Sequence, residues 1–174
     1  MLAATGVYAG FTDIARDTLL TPTAEHALKA DGPALQSVLG GFAELDPQPD
    51  ARAAFQTLDV AGISIIALSN GAAETTQKLL DRAGLAGFVH QVVSIAEIRS
   101  WKPLPAIYHH AAKRAGVAPG EMALVATHAW DVHGAKRAGL MTGFVARGQI
   151  FPSTMALPDV VGENLAEVAA KLVQ

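Results

Sequence analysis

Hydrophobic and polar positions change rhythm near residue 62 of this 174-residue chain. Ahead of that point the spacing is helical. Thr12 can cap Asp13-Ile14-Ala15-Arg16, and Ile14, Ala15, Thr18 and Leu19 fall on one helical stripe. Pro22 is expected to break that run, with further short helices over His26 to Ala30 and Ala34 to Leu45. Asp46-Pro47-Gln48-Pro49-Asp50 reads as a breaker cluster, and a helix should follow from about Asp50 to Val60. No strand is expected before residue 62.

Beyond it, short branched apolar runs alternate with helical stretches. Ile63 to Leu68 is the first such run and ends in Ser69-Asn70-Gly71, as a buried parallel strand ends in a turn. A helix is expected from Ala72 to Ala83, a strand from His90 to Ile95, and a helix from Leu104 to Ala115 stopped by Gly116. Met122 to Thr127 and Met141 to Ala146 read as strands around a helix from Val132 to Ala138, and Glu163 to Val173 as a closing helix. Such alternation argues for an α/β protein with an open parallel sheet, joined by right-handed crossovers. Chemistry in these sheets gathers where the strands end.

Composition narrows the function classes. The formal net charge is −3, which gives no basic footprint for nucleic acid or an anionic membrane. Hydrophobic residues make up 51 % of the chain and charged residues 17 %, enough to build a core. There is no cysteine, so disulfide scaffolds, thiol nucleophiles, thiolate zinc sites and iron–sulfur clusters all drop out. No apolar run approaches the roughly 18 residues of a membrane span. The start lacks a basic region and long apolar run, which makes the cytoplasm the expected compartment.

The polar groups at the expected strand ends are ordinary when taken singly. Ser69 and Asn70 can hold a carboxylate or phosphate with the free N–H groups beside them, or simply cap the next helix. Lys102, in Trp101-Lys102-Pro103, reads as a solvated charge. Asp131, in Thr127-His128-Ala129-Trp130-Asp131, is equally a helix cap.

Their combination is more specific. Leu68-Ser69-Asn70-Gly71, then Trp101-Lys102-Pro103 with Tyr108, then Ala129-Trp130-Asp131, resembles the haloacid dehalogenase superfamily and within it the type II 2-haloacid dehalogenases. Lys102 follows Ser69 by 33 residues and Asp131 follows Lys102 by 29, spacings that look like that group's. The resemblance implies a Rossmann-like parallel sheet with helices on both faces (residues 49–174) and a partial helical cap (residues 1–48). The implied activity is hydrolytic dehalogenation of short 2-haloalkanoic acids through an aspartyl ester, two easier steps replacing one. It needs water, a small-molecule substrate and no cofactor, and the family suggests a possible homodimer.

Roles carry over by position. Ser69 and Asn70 match the motif that binds the substrate carboxylate and helps hold the leaving halide. Lys102 matches the lysine that orients and neutralises the nucleophilic carboxylate, and Tyr108 the tyrosine that supports this cluster. Asp131 matches the acid that positions or deprotonates the hydrolytic water. Trp130 matches an aromatic wall of the pocket, and Phe11 supplies another from the cap.

Two departures from the pattern matter. His128 stands where many relatives carry an amide; an imidazole there can bind the hydrolytic water, or be a tolerated polar residue. The family's nucleophile lies on a first strand, in apolar run–Asp–x–x–x–Thr, and no such strand is legible. Asp17-Thr18-Leu19-Leu20-Thr21 has the spacing but sits in a helical, polar context. The resemblance therefore implies that a strand, a crossover and a first cap helix, roughly fifty residues, are missing ahead of Met1. The absent strand would lie between those of Ile63 to Leu68 and Met122 to Thr127, so marginal stability or self-association is expected.

A magnesium phosphatase of the same superfamily is the leading enzymatic alternative, although it needs several carboxylates where only Asp131 stands. Histidines 109, 110, 128 and 133 show no zinc spacing, so no metal site is expected. A non-catalytic remnant, or a binder of small carboxylates, is the alternative outside catalysis.

Overall fold

The computed structural model describes residues 5–25 and 32–174. Helices α1 (Phe11–Glu25), α2 (Gly32–Gly41) and α3 (Ala51–Val60) come first, and among the described residues no strand precedes them. Then follow β1 (Ile65–Ser69), α4 (Ala73–Arg82), β2 (Val89–Ser94), α5 (Pro105–Ala115), β3 (Ala123–Ala126), α6 (Ala129–Arg137), β4 (Met141–Val145), β5 (Val160–Gly162) and α7 (Leu165–Leu172). The α/β alternation read from the sequence is thus present.

Local chemistry explains several boundaries. Pro105 opens α5, where its missing N–H costs nothing, and Gly116 closes it in the left-handed conformation at φ 73°. The Asn164 side chain accepts from the Glu167 amide to cap α7. Several expectations need correction. Thr12 does not cap α1, which already includes Phe11 and receives its first bond from Ile14 N–H to the Gly10 carbonyl. Pro22 does not end that helix, which continues to Glu25. The helix expected to reach Leu45 stops at Gly41, the second of two consecutive glycines, and looser turns follow. The stretch from His26 to Ala30 lies outside the described residues. Strand β5 escaped the sequence reading because only three residues form it.

All strand pairs are parallel, but they form two sheets. β1 pairs only with β2, in register Ser69 opposite Ser94, and the second sheet runs in the order β3-β4-β5. β1 and β3 each therefore have a ladder partner on one side alone among the described residues. A cleft of about 400 Å³ borders the free side of β3, lined by Phe55 of α3, Leu79 and Leu80 of α4, and Val125 and Ala126.

The main core gathers Ile95, Ile107, Tyr108, Leu124, Ala135 and Leu140 between α5, α6 and the strands. On the other face α7 packs on α3 through buried Val168, Ala169, Ala51 and Ala54. Asp50 fastens that contact, accepting from the Leu165 amide at 2.6 Å and from Arg147 at 3.0 Å. Among the described residues no helix is long and apolar enough to cross a membrane.

Candidate active site

The carboxyl ends of β1 and β3 place the polar groups. At the end of β1 the chain turns through Ser69-Asn70-Gly71, and the Ser69 hydroxyl accepts from the Gly71 amide at 2.9 Å. Asn70 Oδ1 is buried and has no hydrogen-bond partner among the described residues. An acceptor left unsatisfied there is costly unless something fills the role.

Lys102 comes in from the segment after β2. Its Nζ donates to the Leu68 carbonyl at 2.9 Å and to Asp131 Oδ2 at 3.0 Å. These side chains are 8 % and 7 % exposed, so the ion pair is shielded from solvent. Asp131 stands in the first turn of α6, where the helix dipole favours a carboxylate. Its other oxygen, Oδ1, accepts from the Tyr108 hydroxyl at 2.6 Å. Burial and the facing Asp131 charge push the Tyr108 phenol well above its usual range, which keeps it a neutral donor. Both oxygens of Asp131 are thus engaged before any substrate arrives.

Close packing holds this cluster. A Cβ on Gly134 of α6 would lie 2.5 Å from Pro103 Cβ, 2.8 Å from the Pro103 carbonyl and 2.8 Å from the Tyr108 hydroxyl. Only a bare backbone lets α6 lie against the Lys102–Pro103 segment. Trp101, just before the lysine, donates its indole N–H to the Ala9 carbonyl at 3.2 Å, tying that segment to the chain ahead of α1.

The Ser69–Gly71 turn opens onto a pocket of about 300 Å³ walled by Phe11, Leu39, Phe42 and Leu79. Phe11 and Phe42 meet edge to face, ring centres 5.4 Å apart, and join α1 to the turn after α2. The structure thus gathers Ser69, Asn70 and Phe11 around one pocket, and Lys102, Asp131 and Tyr108 in a buried cluster reached through the Leu68 carbonyl. It does not bring His128 or Trp130 to that pocket. They stack on each other, centres 5.4 Å apart, on the exposed start of α6. Asp17 lies within α1 and not at a strand end.

Sequence reasoning missed Leu39 of α2 and Phe42 of the turn after it, a stretch that carried no chemical signal. It also missed Ser94, a buried polar residue that ends β2 opposite Ser69 between Val93 and Ile95; that interruption was the available clue. Among the described residues no group of three or more His, Asp or Glu stands together as a metal site would require.

The sequence and the fold match those of known proteins. A family model for haloacid dehalogenase-like hydrolases aligns with residues 3–139. The (S)-2-haloacid dehalogenase 2 of Pseudomonas sp. (strain CBS-3) is 28 % identical over 164 residues, covering 94 % of this chain and 72 % of that protein. A glyceraldehyde 3-phosphate phosphatase of Methanopyrus kandleri is 38 % identical over 109 residues, 62 % of this chain and 47 % of the phosphatase. Among solved structures, the L-2-haloacid dehalogenase of Xanthobacter autotrophicus with chloropropionic acid covalently bound superposes with a TM-score of 0.87 at 28 % identity, covering 98 % of this chain and 79 % of that one.

Proposed function

Because the chain belongs to the haloacid dehalogenase-like hydrolases, we propose that its site serves hydrolytic dehalogenation of short 2-haloalkanoic acids to 2-hydroxy acids. The observation that carries this reading is the shielded Lys102–Asp131–Tyr108 cluster, fixed by Lys102 to the Leu68 carbonyl of β1 beside the Ser69–Asn70 turn. In the proposed reaction a carboxylate attacks the halogen-bearing carbon from behind and halide leaves with the bonding electrons. Water then adds to the ester carbonyl, freeing the 2-hydroxy acid and the carboxylate.

Ser69 through its hydroxyl and Asn70 through its side-chain N–H bind the substrate carboxylate and steady the departing halide. Lys102 neutralises the attacking carboxylate, Asp131 orients the water, and Tyr108 holds Asp131 in place. Helices α1 and α2, within residues 1–48, act as a partial cap whose Phe11 contacts the alkyl group, over a core at residues 49–174. His128 and Trp130 approach the substrate only if the exposed start of α6 turns inward.

Among the described residues no acid is assigned as nucleophile, since Asp17 is helical and both oxygens of Asp131 are already bonded. We therefore read these residues as the accessory half of the site, weakly active or inactive alone. The test is chloride release from each enantiomer of 2-chloropropionate, with folding checked by circular dichroism. Absence of release by folded protein that binds 2-hydroxypropionate in calorimetry supports the reading. Brisk release overturns the accessory-half assignment, and absence of both release and binding overturns the substrate assignment. In any active form, Lys102→Ala and Asp131→Asn each lower turnover about a hundredfold, on the order of 3 kcal/mol. Phosphate release from small phosphomonoesters with magnesium tests the second reading, which the Methanopyrus relative favours and the lone Asp131 argues against.

A further inference from the structure

The proposed site draws on two separate segments, the Ser69–Gly71 turn that binds substrate and the Lys102 segment that faces the reacting carboxylate. We infer that Ser94 is the positioning residue that sets one against the other; this rests on the substrate reading above.

Ser94 ends β2 directly opposite Ser69 and is only 2 % exposed. Its hydroxyl has one proton, which it donates to the Gly71 carbonyl at 2.8 Å. The same oxygen accepts from the Ala96 amide at 3.2 Å, at the start of the segment that carries Lys102. One atom thus bonds both segments at once.

Each side is then braced separately. Gly71 also donates its amide to Ser69 Oγ, so the pocket turn is gripped from within by Ser69 and from behind by Ser94. On the other side the Ser94 amide donates to Glu97 Oε1 at 3.0 Å. Glu97 Oε2 is held by His110 Nε2 at 2.9 Å and by Arg114, both on α5. The amide of Ser100 closes the turn onto the Ile95 carbonyl. A displacement of the turn at Ile95–Glu97 is therefore passed to the pocket through one buried hydroxyl. Alanine at 94 takes away the hydroxyl that partners both the Gly71 carbonyl and the Ala96 amide, whereas threonine keeps the hydroxyl and suits a strand.

The test measures 2-hydroxypropionate affinity by calorimetry and amide exchange by mass spectrometry on the full chain. Ser94→Ala should weaken binding about tenfold, the scale of one buried hydrogen bond, while Ser94→Thr stays within about twofold. Exchange in Ser94→Ala should rise together at residues 70–72 and 95–102, with β4 unchanged. Wild-type affinity and exchange in Ser94→Ala overturn the inference. So does faster exchange spread over both sheets, the mark of a merely structural role, or confined to one segment. If the unmodified chain binds no 2-hydroxypropionate, the substrate reading falls, and the exchange pattern alone upholds or overturns the coupling by Ser94.

Discussion

Removing the positive charge of Lys102 while keeping most of its length, as in Lys102→Met, isolates the cost of the shielded ion pair. Asp131 is 5 % exposed and would retain only the Tyr108 hydroxyl on its side chain. Breaking a buried pair by deleting one partner costs about 3–5 kcal/mol, because the surviving charge stays desolvated. The charge-assisted bond from Tyr108 softens this, so about 3 kcal/mol is expected. In a chain of this size that lowers Tm by about 6–12 °C. Lys102→Met/Asp131→Asn removes both charges, and the asparagine oxygen can still accept from Tyr108. It should recover to within about 1 kcal/mol of the original protein, as paired removal of buried charges commonly does. Urea unfolding followed by circular dichroism measures all three proteins, provided the slope with denaturant stays constant. A single variant less than about 1 kcal/mol destabilised would mean that water reaches the pair. A double variant no better than the single would place the cost in lost packing of the lysine stem.

Other consequences are as direct. Gly134→Ala should destabilise the protein by about 1–3 kcal/mol through collision with Pro103 and Tyr108, although alanine favours helix over glycine; a rise in Tm would refute that packing. Glu97 is held below the usual carboxylate range by its bond to His110, against desolvation, with help from the Ser94 amide and Arg114. Asp159 is lowered chiefly by Lys136 and Thr142, and in Asp50 the bonds from Leu165 and Arg147 outweigh a desolvation that raises it. Each depressed carboxylate stabilises the fold fully above its unfolded value and loses that contribution as pH falls through the lower folded value. These three carboxylates should therefore make stability decline below about pH 5, and Glu97→Gln should shallow that decline in urea titrations. With β1 and β3 each paired on one side only, sedimentation should show self-association or the chain should unfold at low urea; a sharply unfolding monomer would contradict this.

The alternating half of the fold was legible because its signals are local. Ile65, Ile66 and Leu68 announce a strand, although it is half-buried and not buried as expected, and Gly116 and Gly139 punctuate the helices that follow. The helical half was less so, since Pro22 and Thr12 carry local preferences that the longer α1 overrides. Lys102, Asp131 and Tyr108 could be named as a group from the family resemblance of their motifs, but not the engagement of both Asp131 oxygens, which depends on how α5 and α6 cross. Leu39 and Phe42 could not be found at all, because an apolar pocket wall reads like any apolar helix face. Nor does spacing report exposure: His128 and Trp130 occupy the expected positions and lie outside the pocket.

The division of the strands into two sheets governs how the molecule can open. A continuous sheet separates only by breaking a ladder of backbone bonds, whereas no ladder joins β1 to β3. Across that seam the ammonium of Lys102 acts as a rivet, bonding Leu68 on one side and Asp131 on the other. The β1–β2 unit and the β3–β5 unit should accordingly exchange their amides at two separate free energies. The buried positive charge and the mechanical closure then reside in the same side chain, so whatever draws Lys102 away from Asp131 also loosens the two halves of the protein.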